Sequence, residues 1–371
     1  THPSPNPPSA TVCGSSSSSA RRESHSMKEK QVRPKNLEGL LCYLQQEKGI
    51  KISGAEQIQQ FRNMGYYHGY KGYRYIGNAR NRVAYENFDQ LSAVYEFDAQ
   101  LKAAFYPCVM QIETALKNYV LEKLLELVHS ESFLTIYSLL LDNYKQYSTA
   151  GKTYKTAKER QKAEDRFKKE LKRRLELRNR IYQVQTRAFL DGNPIADHYL
   201  RQSESLPIWA IFELLTLGEF GHFVSCLNQD CRIIISKDLG IRVADDTSGI
   251  LPQRLIYATK DLRNAIAHND VIFDTRFRSS SIDRQMSNVI TNASGIKNIT
   301  FETITDYVAL ILYELKLIRS PQMEGLRLLE TFSESTEMLY HRVPVKLFHQ
   351  IIHTDNHTKV HQLKKYLTNS M

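Results

Sequence analysis

The feature that most narrows the fold is a run of apolar residues at helical spacing from Phe88 to Val128. Leu91, Val94, Tyr95, Phe97, Leu101 and Phe105 are followed by Val109, Ile112, Leu116, Val120 and Leu124. Such recurrence marks one face of an α-helix rather than a strand, whose faces alternate every second residue. Pro107 falls inside the run. It is expected to kink or split it, because proline lacks an N–H and its ring crowds the carbonyl four residues earlier. The 371-residue chain has only 16 Gly and 11 Pro, which favours helices over a many-turned β fold. The expected fold class is all-α.

Further helices follow from the same period. Leu37 to Gln46 reads as a short helix ending before Gly49, and Ser53 to Met64 as a second, with Ser53 as N-cap and Glu56 three residues on. Asp191-Gly192-Asn193-Pro194 should break a helix. Pro207 suits a first turn, Trp209, Phe212 and Leu215 one apolar face, and Gly218 a C-terminal stop. Val271 to Ile296, rich in Ser, Asn, Asp and Arg, reads as a long surface excursion. Phe301 to Ile318 is amphipathic, and Pro321 opens another helix. In the tail, His349, His353, His357 and His361 recur four apart; without a carboxylate or Cys in register they read as a polar face rather than a metal site. Residues 1–26 read as a disordered leader, or a remnant appended ahead of a native start at Met27. Residues 27–85 then form an N-terminal helical, Tyr-rich segment. Residues 86–320 form a helical core with a basic insertion at 150–182, and 321–371 the C-terminal helices.

Chemistry concentrates in Lys260-Asp261-Leu262-Arg263-Asn264-Ala265-Ile266-Ala267-His268-Asn269. An imidazole can move protons near neutral pH. A guanidinium can stabilise a phosphate whose charge grows in the transition state. An Asn can orient either by hydrogen bonds. On a helix Asn264 and His268 share a face, whereas Arg263 and His268 stand roughly 140° apart. They converge on one phosphate only if the helix frays near His268, if Arg263 wraps round, or if a second chain completes the site. The plainer reading is a C-terminal His satisfying a carbonyl, with Arg263 in a surface ion pair.

Net charge is +10, which favours a polyanionic partner without choosing between nucleic acid and an anionic membrane. No apolar run is long enough to span a bilayer. The five Cys include no CxxC pair, which argues for reduced thiols in a cytoplasm and against a disulfide scaffold or structural zinc. Two cationic stretches are candidate RNA contacts. Tyr66, Tyr67, Tyr70, Lys71, Tyr73 and Arg74 could stack on unpaired bases while holding the backbone, or be a packing loop whose hydroxyls find partners. Lys152 to Arg180 holds thirteen Lys or Arg against five acids. Lys168, Lys169, Lys172, Arg173 and Arg174 there could meet phosphates, or form a solvated face. Lys260 is a further candidate beside the motif. Glu113 and Lys117, four apart, read as a surface salt bridge.

Arg263-Asn264-x3-His268 resembles the Arg-x4-6-His signature of the HEPN superfamily, in its common form with Asn, Asp or His after the Arg. Leu206 to Gly218 resembles the Pro-x-Trp…Glu…Gly segment that precedes this motif in bacterial abortive-infection proteins of the AbiD/AbiF type. Phe61 to Tyr70 is similar to their Asn-Tyr-Tyr-Arg-Leu-x-Gly-Tyr segment, with Met64-Gly65 replacing the more regular Asn. The resemblance implies a HEPN-like helical bundle with an N-terminal helical extension. It also implies a metal-independent endoribonuclease of an abortive-infection or toxin–antitoxin phage-defence system, needing no cofactor. Arg263, Asn264 and His268 would be catalytic, in a homodimer with a composite site, and an early helix would place a polar residue such as Glu113 nearby. RNA would be substrate, and a structured non-coding RNA a possible inhibitor or guide. The alternative is a non-catalytic RNA-binding regulatory protein.

Overall fold

A computed structural model describes residues 36–278, 282 and 284–368; the expected leader lies outside them. The fold is all-α: among the described residues the only β pairings are isolated bridges such as Lys51 to Asn87.

Helix α1 (Leu37–Lys48) starts under Asn36, whose side chain accepts the Gly39 N–H, and stops at Gly49, as its spacing predicts. Helix α2 (Gly54–Met64) follows Ser53, but the Ser53 hydroxyl caps nothing. The Ser53 N–H instead donates to Gln57 Oε1, so Gln57, not Glu56, closes that end. One π-helical turn, Tyr66–Lys71, comes next. Helix α3 (Phe88–Val128) then runs 41 residues without the expected split at Pro107. Pro107 and Ala103 are both exposed, so the carbonyl that proline leaves unpaired can be hydrated.

Helix α4 (Phe133–Leu139) and a 3-10 turn (Asn143–Tyr147) lead into α5 (Ala157–Leu190), the basic run. Asn193 caps α6 (Pro194–Arg201) just past the expected break. Helix α7 (Ile208–Leu214) ends at Leu215, and Gly218 proves to lie inside α8 (Leu217–Cys226) rather than at a stop. Thr216 and Glu219 form a reciprocal capping box there, and this start signal outweighs the glycine. Helix α9 (Gln229–Asp238) precedes α10 (Leu251–Ala267), which carries the Arg-Asn-His motif.

The stretch read as a surface excursion is corrected. Residues Val271 to Thr275 are buried, and α11 (Arg284–Ser294) buries Met286, Val289 and Ile290. Helix α12 (Ile304–Leu317) is buried along its length except at Lys316. Helices α13 (Gln322–Arg342), α14 (Val345–Ile351) and α15 (Asn356–Thr368) complete the chain. The break between α14 and α15 puts His349 on one helix and His357 and His361 on another, so no histidine face exists.

Helix α3 is the spine, packing against α13, α10, α9 and α12, while α10 also packs on α8. A Cβ at Gly221 would stand 3.0 Å from the Tyr257 ring and 3.1 Å from Ile256, so glycine sets how closely α8 approaches α10. That contact holds α10 while its C-terminal end reaches solvent.

Candidate functional site

Helix α10 ends within the motif. Its last residue is Ala267, and His268 is the C-cap, at φ −90° and ψ 5°. The His268 N–H still donates to the Asn264 carbonyl at 2.9 Å. Asn269 turns left-handed at φ 55°, and the Asp270 N–H reaches back to the Ala265 carbonyl at 2.8 Å, a Schellman-type closure. The helix therefore closes in an ordered cap at His268, which keeps its helical backbone bond, rather than in a fray. The His268 side chain is exposed and makes no hydrogen bond or ion pair among the described residues. It does not satisfy a helix-end carbonyl.

Arg263 is held from across the bundle. Its Nε stands 3.4 Å from Glu113 Oε2 on α3, and Glu113 also meets Lys117 at 3.4 Å. Glu113 is only 8% exposed, so the expected surface salt bridge is instead a half-buried triad that includes the motif Arg. The Arg263 contact is an ion pair without a formed hydrogen bond, since Glu113 Oε2 has none. A guanidinium held by attraction rather than by a two-bond fork keeps donors for another anion. Arg263 Nη1 also donates to Asn264 Oδ1 at 3.4 Å. Lys117 Nζ donates to the Leu215 carbonyl at 2.8 Å, which ties the end of α7 to the same place.

The next anchor is Asp98, fully buried on α3. It accepts from the Tyr73 hydroxyl at 2.7 Å, from the Ile272 and Phe273 N–H groups at 2.9 and 2.8 Å, and pairs with Lys102 at 2.9 Å. Lys102 also donates to Asn269 Oδ1 at 2.9 Å. One carboxylate thus fixes the chain leaving the motif and the Tyr-rich segment against one helix. Because Glu113 meets Arg263 and Lys102 meets Asn269, α10 runs antiparallel to α3.

This arrangement sorts the tyrosines. Tyr73 is 1% exposed, its ring stacked on Phe273 at 6.0 Å, and Tyr70 is also buried. Burial raises the pKa of both, and for Tyr73 the neighbouring Asp98 raises it further. Neither offers a face to a base, so both drop out of the candidate contacts. Tyr66 is half-buried; Tyr67, Lys71 and Arg74 are exposed. Tyr67, Lys71, Arg74, Asn269, Asp270 and Arg276 line a cleft of about 450 Å³ that begins one residue past His268. Neither Lys71 nor Arg74 has a carboxylate partner among the described residues. Arg276 is held by Asp274 and the Tyr75 carbonyl.

The basic helix sorts too. Lys168, Lys169 and Lys172 are exposed. Arg174 is structural: its guanidinium lies 3.8 Å over the Tyr137 ring and donates to the Leu141 and Tyr137 carbonyls at 2.6 and 2.9 Å. Arg173 pairs with Glu170, and its carbonyl meets His222 Nε2 at 3.0 Å. Burial holds the His222 pKa down. Lys260 lies 2.6 Å from Asp261, with its stem over Gly218. Sequence reading passed over Asp98, Lys102 and Asp270. Asp98 did carry a signal, standing where the period of Leu91, Val94, Leu101 and Phe105 calls for an apolar residue. Among the described residues no group of three or more His, Cys, Asp or Glu is placed to hold a metal.

A helical chain presenting an Arg-Asn-His constellation at a helix end, beside a cationic and aromatic cleft, is the class these features define. The chain belongs to a known family: the model described as Abi-like protein matches residues 59–274, more than half of it. The match spans the Tyr-rich turn, α3, α5 to α8 and the motif. Membership points to abortive-infection phage defence. Comparison with curated proteins and with solved structures returned no match.

Proposed function

We propose that the protein is a HEPN-type endoribonuclease of the AbiD/AbiF kind that cuts RNA without a metal, in abortive infection or a toxin–antitoxin pair. The observation that carries this reading is the unpaired, exposed imidazole of His268, five residues beyond an Arg263 braced by Glu113. The 2′-oxygen of the substrate attacks the adjacent phosphorus as its proton passes to a base. The bond from phosphorus to the 5′-oxygen breaks, and that oxygen takes a proton from an acid. The products are a 2′,3′-cyclic phosphate and a 5′-hydroxyl. His268 supplies one proton-transfer group, and His268 of a second copy supplies the other in a homodimer. Arg263 meets the charge on the phosphorane oxygens. Asn264, four residues from His268 and in contact with Arg263, orients the pair. Exposed lysines of α5 suit a structured RNA that keeps the enzyme silent.

The test is incubation with unstructured RNA in EDTA. Cleavage persists in chelator for the parent and falls at least a hundredfold in Arg263→Ala and in His268→Ala, the order of a lost acid–base or oxyanion group. Parental rates in both variants overturn the site. Binding without cleavage by any form supports the regulatory alternative.

A further inference from the structure

The cleft beyond the motif contains one group that a phosphate groove would not need. Asp270 is exposed, lines the cleft with Lys71 and Arg74, and its carboxylate has no hydrogen bond or ion pair among the described residues. Its backbone is fixed by the bond to Ala265, so the carboxylate extends from a fixed point of the cleft wall. Tyr67 lines the same cleft, 69% exposed, with Lys71 Nζ 5.8 Å from its ring centre. Part of the cleft wall is tight: a Cβ on Gly72 would meet Val271 Cγ2 at 3.1 Å. A volume of about 450 Å³ is in the range of small-ligand pockets and takes one nucleotide, not a duplex.

An acid here would repel a bare phosphate. It makes sense if the group delivered to it is a base edge that donates hydrogen bonds. Guanine alone among the four bases presents two adjacent donors, N1–H and an N2 amino hydrogen, matching the two oxygens of a carboxylate. Uracil presents one N–H between two carbonyls, which a carboxylate repels. The aromatic face suits stacking of an unpaired base, and Lys71 and Arg74, which have no carboxylate partner among the described residues, suit the flanking phosphates.

We propose that this cleft is a guanine-selective nucleotide pocket next to the scissile linkage, with Tyr67 stacking on the base, Asp270 reading its Watson–Crick edge, and Lys71 and Arg74 holding the backbone. The pocket gives the nuclease reading a substrate class and rests on that reading for its place beside the cut. Its binding chemistry can be tested without any cleavage.

The experiment measures equilibrium binding of fluorescent single strands with 2′-O-methyl groups throughout, which have no free 2′-hydroxyl to attack, in EDTA. An all-uridine strand is compared with one holding a single central guanosine, for the parent, Asp270→Asn and Tyr67→Ala. The parent should favour the guanosine strand about tenfold, the size expected for one bidentate base contact. Asp270→Asn should abolish that preference without weakening the all-uridine strand, as removal of a negative charge predicts. Tyr67→Ala should weaken both strands, by about tenfold for a lost stacking face. Circular dichroism melting checks that each variant is folded. No preference in the parent, or a preference that survives Asp270→Asn, overturns the pocket. Cleavage of ordinary RNA without guanine selectivity removes the pocket and leaves the nuclease. Selective binding by a protein that never cuts removes the nuclease and leaves the pocket.

Discussion

Asp98 and Glu314 are both buried carboxyls that flank the motif helix, and they are treated in opposite ways. Asp98, towards the cleft, has Lys102, the Tyr73 hydroxyl and two backbone N–H groups around it. Glu314, behind α10, has the Thr259 hydroxyl at 2.5 Å, and its other oxygen has no hydrogen bond. Burial pushes the Glu314 pKa up to about 8, so near neutral pH it is largely uncharged. The difference lies in the partners that surround each carboxyl. Fully partnered charge sits where it positions the cleft and the chain beyond His268. Glu314 has no cation beside it among the described residues, and its carboxyl gives up its charge.

The contrast is broken most directly at Asp98. Asp98→Ala strands Lys102, the Tyr73 hydroxyl and two N–H groups, and should cost roughly 3–5 kcal/mol, as loss of one partner in a buried ionic cluster does. Urea denaturation at neutral pH measures it, and a loss under about 1 kcal/mol would mean the anchor is unimportant. Glu314 should show itself through pH. Its folded value lies above the ordinary 4.5, so folding favours the protonated form. That contribution is complete below 4.5, declines as pH rises, and is gone above about 8. Glu314→Gln keeps the Thr259 bond, so stability should lose its slope across this window and exceed the parent's on the alkaline side by a few kcal/mol. Parallel pH profiles for the two proteins would remove the distinction. A finer probe is Tyr73→Phe, which deletes one donor to Asp98 and should cost about 2 kcal/mol. It should leave RNA affinity unchanged, because the ring is buried; weaker binding without lost stability would return Tyr73 to the interface.

Much of this was legible in the sequence because the signals are local. The stop at Gly49, the break at Asp191 to Pro194 and the end of α10 at His268 are each written in adjacent residues. Gly218 misled because its neighbours Thr216 and Glu219 carry a stronger start signal. What lay beyond reach was pairing at a distance. Glu113 meets Arg263 across 150 positions of chain, and Asp98 draws Ile272 and Phe273 inward despite their polar surroundings in sequence. The tyrosines alternate so closely with glycine and cations that only the tertiary fold separates buried Tyr70 and Tyr73 from exposed Tyr67. Likewise Arg174 and Lys172 look alike in a basic run. The flat guanidinium finds a tyrosine face and two carbonyls, while the ammonium stays in water.

The proposed attack by the substrate's own 2′-oxygen, driven by Arg263 and His268, is read most directly from the ends of the product. RNA cut in EDTA should carry a 2′,3′-cyclic phosphate on the upstream fragment and a 5′-hydroxyl on the downstream one by mass spectrometry, and a 2′-O-methyl group at the cleaved nucleotide should block the cut. A 3′-hydroxyl paired with a 5′-phosphate, or cutting that ignores the methyl group, would contradict it.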